Sequence, residues 1–272
     1  MLKIGDKVYH RIYKISKTPR ISKTIPSEAI AFKCNFCDGG SSPDRIGFRG
    51  VCSDEIMKYN IMYQKHRWCS DYSSPCRRYY NGKRSRNYLD EYMDDGGYAC
   101  TESSLLINWT AYAGMVLSGD RKGKPMRLKK IENNNLCVLT TRFHDNEKES
   151  ERVIFAVFLI DEAYEGNNEE QGSVTAHPEF RIELTPSEAK EMLYWKYQAN
   201  SSQPKKALWG SGLHRYLTNT IAAQIMRDVV KIKRRTNCES LSVRMFERYC
   251  QINNIDAEML PEPSGALTLS TL

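Results

Sequence analysis

Six of the chain's nine cysteines, Cys34, Cys37, Cys52, Cys69, Cys76 and Cys100, fall within one early stretch of the sequence. Cys34 and Cys37 form a Cys-x-x-Cys pair, and the rest stand singly after gaps of 14, 16, 6 and 23 residues. A two-residue gap lets two thiolates point into one tetrahedral site, and single cysteines from distant segments can complete it. The pattern therefore constrains this region to a small module stapled by a metal. The alternatives are a disulfide framework or a set of buried free thiols. The N-terminal MLKIGDKVYHRIYK is charged throughout and lacks an apolar signal core. The expected compartment is therefore cytoplasmic and reducing, which disfavours disulfides.

The expected ligands are Cys34, Cys37, Cys69 and Cys76. Cys52, Cys100 and His66, three residues before Cys69, are the alternates. Zinc ribbons offer two Cys-x-x-Cys knuckles where this chain has one, and irregular single cysteines suit an iron–sulfur cluster as well. The cofactor expected is structural zinc, with a [4Fe-4S] cluster as the alternative. No residue beside the thiols is placed as a base for a metal-bound water.

Charge is concentrated in the same region. The formal net charge is +7. Residues 58–86 hold Lys58, Lys65, Arg67, Arg77, Arg78, Lys83, Arg84 and Arg86 against Asp71 alone, and residues 3–23 are a second basic stretch. Tyr59, Tyr63, Trp68, Tyr72, Tyr79, Tyr80 and Tyr88 are interleaved with the first of these. Cations neutralise phosphates and rings stack on exposed bases, so the combination points to nucleic acid, with DNA put before RNA. The plainer reading is a solvated face with tyrosines filling a small core. No run approaches a membrane span.

After Cys100 the character changes. Residues 103–119 are apolar and carry Trp109 and Tyr112, which suits a core helix or the entry to a pocket. Gly119, Gly123 and Pro125 bracket an exposed basic turn. LCVLTTR (136–142) and VIFAVFLI (153–160) are strands, the second apolar on both faces and so central in its sheet. Residues 161–172 are an acidic loop, and His177-Pro178 is a turn. Thr185-Pro186-Ser187-Glu188 announces a capped helix. Trp209 lies in a flexible loop with Lys205 and Lys206. Two amphipathic helices follow at 220–233 and 242–253, then a tail expected to be disordered from Pro261.

The order of basic loop, LCVLTTR, charged hairpin, ERVIFAVFLIDEAYEG and capped helix resembles the small barrel of the PUA-like superfamily, which includes EVE, YTH and ASCH domains. In that group a first strand ends near a Thr-Arg or similar pair, the next emerges into an acidic turn, and an aromatic cage binds a flipped or modified base. Here Thr140, Thr141 and Arg142 match the first feature and residues 154–165 the second. The resemblance covers about residues 103–200 and leaves the cysteine region outside it. It implies a reader of a modified base in DNA, acting as the specificity part of a modification-dependent restriction or defence system, with a separate nuclease subunit as partner. Trp109, Tyr112, Trp195 and Trp209 would form the cage. Arg142, Lys205, Lys206 and Arg215 would contact the backbone, joined by Arg77, Arg78, Lys83 and Arg84 from the basic stretch.

The expected fold class is α+β: a PUA-like barrel with flanking helices and a metal-stapled N-terminal module. The boundaries are 1–102 for the cysteine module, 103–215 for the barrel and capping helix, 216–260 for C-terminal helices and 261–272 for the tail. The competing classes are a metal-containing nuclease or other nucleic-acid-processing enzyme and a transcription regulator or adaptor. The sequence carries no His-Asn-His or GIY-YIG arrangement, and His10, His66, His144, His177 and His214 form no motif.

Overall fold

The computed structural model describes residues 28–39, 46–116, 118–146, 148–210 and 212–271; the basic stretch at 3–23 and His10 lie outside the described residues. The molecule is α+β and is organised by one curled, half-barrel sheet. Its strands are β1 (Ala29–Lys33), β2 (Thr110–Tyr112), β3 (Leu136–Thr141), β4 (Val153–Tyr164), β5 (Ser173–Glu183) and β6 (His214–Leu217). They lie in the order β2-β5-β4-β3-β1-β6.

The apolar run of β4 makes it central. Residues 153–160 are all buried, and β4 pairs antiparallel with β3 on one side and β5 on the other. β3 is buried along its whole length, including Thr140 and Thr141. β5 alternates buried and exposed residues, as a strand covered on one face must. Its pairing with β4 slips between Phe158 and Ile160. His177 and Pro178 sit at this bulge, where a residue without an N–H is tolerated, and His177 Nδ1 accepts from the backbone N–H groups of Glu179 and Phe180.

β1 lies within the stretch read as the cysteine module, yet it pairs parallel with β3 and antiparallel with β6. The cysteine region is therefore built onto the sheet. Its helices α1 (Asp54–Lys58), α2 (Arg67–Ser70), α3 (Pro75–Tyr80) and α4 (Arg86–Asp94) are short and serine-capped at α1, α3 and α4. The Phe48 ring stacks on Phe155 of β4 at 4.1 Å, and Arg49 grips Glu183 of β5 through two hydrogen bonds. Gly50 N–H donates to Ser103 C=O on α5 (Thr101–Asn108) at 2.6 Å.

α6 (Pro186–Glu191) starts with the capping box read from the sequence: Thr185 Oγ1 accepts from Glu188 N–H, and Glu188 accepts from Thr185 N–H. α7 (Asn219–Lys233) and α8 (Glu239–Ile252) pack together and against the sheet, with Arg248 over the Phe180 ring. Residues 261–271 of the expected disordered tail are placed against the turn at 196–198. Gly265 N–H donates to Lys196 C=O and Ala266 N–H to Gln198 C=O, leading into α9 (Ala266–Ser270). Among the described residues no helix is long and apolar enough to cross a membrane.

Candidate functional site

β1 and β3 are the parallel pair of the sheet, so their C-terminal ends open at the same edge. The chain leaves β1 as Cys34-Asn35-Phe36 and leaves β3 as Arg142-Phe143-His144. Two buried hydroxyls tie these exits together: Thr140 Oγ1 donates to Phe32 C=O at 2.7 Å and Thr141 Oγ1 to Cys34 C=O at 3.2 Å. A third wall comes from Tyr59–Tyr63, a π-helical turn that continues α1. Such turns are frequent at functional sites, because the extra residue re-aims its side chains. Lys65, with φ of 50°, then turns the chain sharply and brings His66 round.

These three segments enclose a cavity of about 300 Å³, at the small end of ligand sites. Four rings form its lip. Phe36 lies 5.6 Å from Phe143 and 5.9 Å from His144, stacked on the latter, and Tyr59 meets His144 edge-on at 6.4 Å. Asn35, Asn60, Gln64 and Asn146 supply amides. Asn60 Nδ2 donates to Phe36 C=O, which leaves Oδ1 as the acceptor of that amide.

The floor is cationic. Arg152, 1% exposed, is held by Glu149 through Nε and Nη2 and lies 5.0 Å from the Trp209 ring. Burial opposes ionisation of Glu149, but its pairing with Arg152 wins and keeps that carboxyl below its ordinary value. Arg142 Nε approaches the same carboxylate at 3.8 Å. Burial, followed by Arg152 and Arg142, lowers Lys33. Burial and the nearby Arg142 and Lys33 push His66 down to about 4, so its imidazole is neutral at physiological pH and offers one donor and one acceptor. The arrangement suits a flat, polar-edged, electron-rich ligand: rings for its faces, amides and imidazole for its edge, cations for attached anions.

A smaller cavity of about 100 Å³ shares Lys33, Cys34 and Asn35 and adds Tyr112, Glu102 and Gln171. Burial raises the Glu102 carboxyl, which accepts from Asn35 N–H at 3.2 Å.

Of the residues picked from the sequence, Cys34, Tyr59, His66 and Arg142 line the main cavity, and Cys34 and Tyr112 the smaller one. Trp109 caps α5 in a left-handed conformation, buried, with its ring against Phe158 and Arg181. Trp195 and Trp209 are buried against each other, edge to face at 6.4 Å. Arg215 lies on both of their rings and donates to Trp209 C=O, Leu208 C=O and Asn200 Oδ1. Lys205 and Lys206 lie on an exposed turn, and Arg77, Arg78, Lys83 and Arg84 on α3 and the turn after it. Lys33, Asn35, Phe36, Asn60, Gln64, Phe143 and Arg152 carry no sequence motif, and His144, one of the five scattered histidines, joins them here. The available signal was Phe143-His144 directly after a strand, but the strand that delivers Lys33 and Asn35 was not read.

All nine cysteines are free thiols. Cys34 lies at the cavity, apart from the others and close to Cys137 of β3. Local contacts draw the other five towards one another. Gly50 to Ser103 sets the Cys52 loop beside Cys100, and Trp68 Nε1 to Ala99 C=O sets Cys69 there too. Ser74 Oγ to Cys69 C=O and Tyr79 OH to Asp54 bring in Cys76, and Cys37 Sγ donates to Gly50 C=O, two residues before Cys52. Burial raises Cys69, Cys76 and Cys100, with Cys76 at about 11. Among the described residues no three His, Cys, Asp or Glu side chains are posed to hold a metal ion.

Compared with known proteins, the chain matches no family model, no curated protein and no solved structure.

Proposed function

We propose that the chain is a nucleic-acid-binding reader that draws one base, a modified one, out of DNA and into the cavity between β1, β3 and the π-helical turn. The lining carries this reading: four rings at the lip, four amides and a neutral imidazole inside, and Lys33, Arg142 and Arg152 beside them. Unstacking a base costs a few kcal/mol, roughly, which stacking and edge hydrogen bonds in such a pocket offset. The PUA-like resemblance supports the same reading, since Arg142 lines the cavity and the buried Thr140 and Thr141 tie together the strand ends beside it. In this reading Phe36, Tyr59, Phe143 and His144 form the cage, and cleavage belongs to a separate nuclease chain of a modification-dependent restriction or defence system. The nearness of Cys37, Cys52, Cys69, Cys76 and Cys100 supports a structural zinc, or a [4Fe-4S] cluster in its place, as a proposal in which four of these thiols would have to close in, since among the described residues no three are posed around one point.

Fluorescence anisotropy on short labelled duplexes that differ in one base, cytosine against 5-methylcytosine or 5-hydroxymethylcytosine and adenine against N6-methyladenine, tests it. At least one modified duplex should bind about ten-fold tighter, in line with ~1–3 kcal/mol for one added carbon in a fitted pocket. Phe143→Ala and His144→Ala should erase that preference while the far-UV spectrum is kept. Equal affinity for every duplex would sink the reading.

A further inference from the structure

Trp68, Tyr88 and Tyr98 are 48%, 39% and 47% exposed and lie around one cleft, and exposed rings gathered in one patch mark an interaction site. Their setting is rigid. Trp68 Nε1 donates to Ala99 C=O, the Tyr98 hydroxyl is hydrogen-bonded to Thr101 Oγ1 at 2.7 Å, and Tyr92 OH donates to Tyr98 C=O. The polar tips of Trp68, Tyr92 and Tyr98 are tied to backbone carbonyls of Ala99 and Tyr98 and to the Thr101 hydroxyl, while ring faces are left open. Trp68 and Tyr98 meet edge-on at 6.2 Å, and Tyr88 and Tyr92, one turn apart on α4, are parallel within 7°. Between these two walls lies a cleft of about 360 Å³.

Its charge is of one sign. Arg78 and Arg84 line the cleft and no acid does. Neither arginine forms an ion pair among the described residues; Arg84 instead lies 4.4 Å from the Tyr88 ring centroid, so cation and ring are presented together. Asp90, the nearest acid along α4, is turned to Arg86. Fixed rings beside unpaired guanidinium groups form a stacking platform with phosphate contacts, the surface that single-stranded nucleic acid takes without regard to sequence.

We propose that this cleft is a second nucleic-acid site, which stacks an unpaired base of a single-stranded segment between the Trp68–Tyr98 and Tyr88–Tyr92 walls and sets its phosphates on Arg78 and Arg84. It rests on the reading of the chain as a nucleic-acid binder and adds a contact outside the base-reading cavity. The segment Tyr59 to Trp68 lines the cavity at one end and the cleft at the other, so a strand opened at the cavity can continue into the cleft.

The tryptophans provide the readout. Trp109, Trp195 and Trp209 are 7%, 0% and 4% exposed, so solvent-accessible indole fluorescence comes from Trp68. Titrating the full chain with an unmodified single-stranded DNA oligonucleotide should quench that component and protect it from acrylamide. Trp68→Ala and Arg84→Gln should each weaken single-strand binding, by about ten-fold for the ring, and leave the preference among modified duplexes unchanged. Trp68→Phe should lose the signal and keep the affinity, which separates stacking from a folding defect. A preference for one modified duplex without Trp68 quenching overturns the cleft and leaves the cavity reading standing. Absence of binding by every oligonucleotide overturns both. Equal protection of Trp68 by a poly-glutamate peptide makes the cleft a site for acidic protein segments and overturns the proposal.

Discussion

Asp228 shows how single side chains hold the C-terminal layer to the rest. Its carboxylate, on α7, accepts from Lys196 Nζ at 2.7 Å, Tyr197 OH at 2.8 Å and Lys231 Nζ at 2.9 Å. Burial alone would raise its pKa, but these donors outweigh it and hold the group below its ordinary value of 3.8. A carboxyl depressed on folding stabilises above the unfolded value and loses that contribution as pH falls through the folded one. The stability difference between the parent and Asp228→Asn, from urea unfolding, should be full at neutral pH and shrink below about pH 4. A difference that grows on acidification would contradict the ion-pair role. Side chains of this kind were hard to read locally. Asp228, Arg152 and Glu149 are ordinary charges in helical or linker sequence, and their burial follows from segments far away in the chain. The tryptophans carry the same lesson: Trp68 and Trp209 both sit among basic and polar residues, yet one is half exposed and the other is under Arg152 and Arg215.

Elements were more legible where a local rule governs them. Thr185-Pro186-Ser187-Glu188 encodes its own helix start, β3 and β4 follow from runs rich in β-branched and aromatic residues, and α7 and α8 from hydrophobic period. Thr185→Ala should cost about 1 kcal/mol in urea unfolding. An unchanged midpoint would mean that Pro186 and the packing of α6 alone set the helix start. β1, β2, β5 and β6 carry no local strand signal, and β2 overturns the core helix expected over residues 103–119, since α5 stops at Asn108 and Trp109 turns the chain into Thr110–Tyr112. AIAFK is only five residues long, β5 is interrupted by His177-Pro178, and HRYL lies in a stretch rich in Gly, Ser and Lys. Each is extended because a neighbour supplies its hydrogen bonds. The π-helical turn at Tyr59–Tyr63 likewise has no local signature, since it depends on Asn60 reaching Phe36 and on His66 N–H reaching Asn60 C=O.

At the scale of the whole molecule the cysteine region and the sheet are one structure, joined by β1, the Phe48–Phe155 stack and the Arg49–Glu183 pair. A change in the packing of the cysteine region would therefore be felt in the cavity, which takes Asn60 and His66 from that region. Protein purified without oxygen should carry about one zinc, or broad visible absorption with about four irons, per chain. Cys34→Ala should leave that content unchanged, and the double variant Cys69→Ala with Cys76→Ala, which leaves three of the five thiols, should remove it. Metal-free protein whose five clustered thiols all react in the native state would end the staple proposal. The sequence by itself determined what short-range chemistry can encode: an α+β class, the central apolar strand, the capped and amphipathic helices, and a cysteine-rich region loaded with cations and rings. Tertiary structure alone decided which of those groups meet. The cavity exists because a parallel pairing of β1 with β3, some hundred residues apart, brings two strand ends to one edge. Such a pairing is stabilised by burial and backbone hydrogen bonds summed over the whole sheet, and no window of sequence contains that sum.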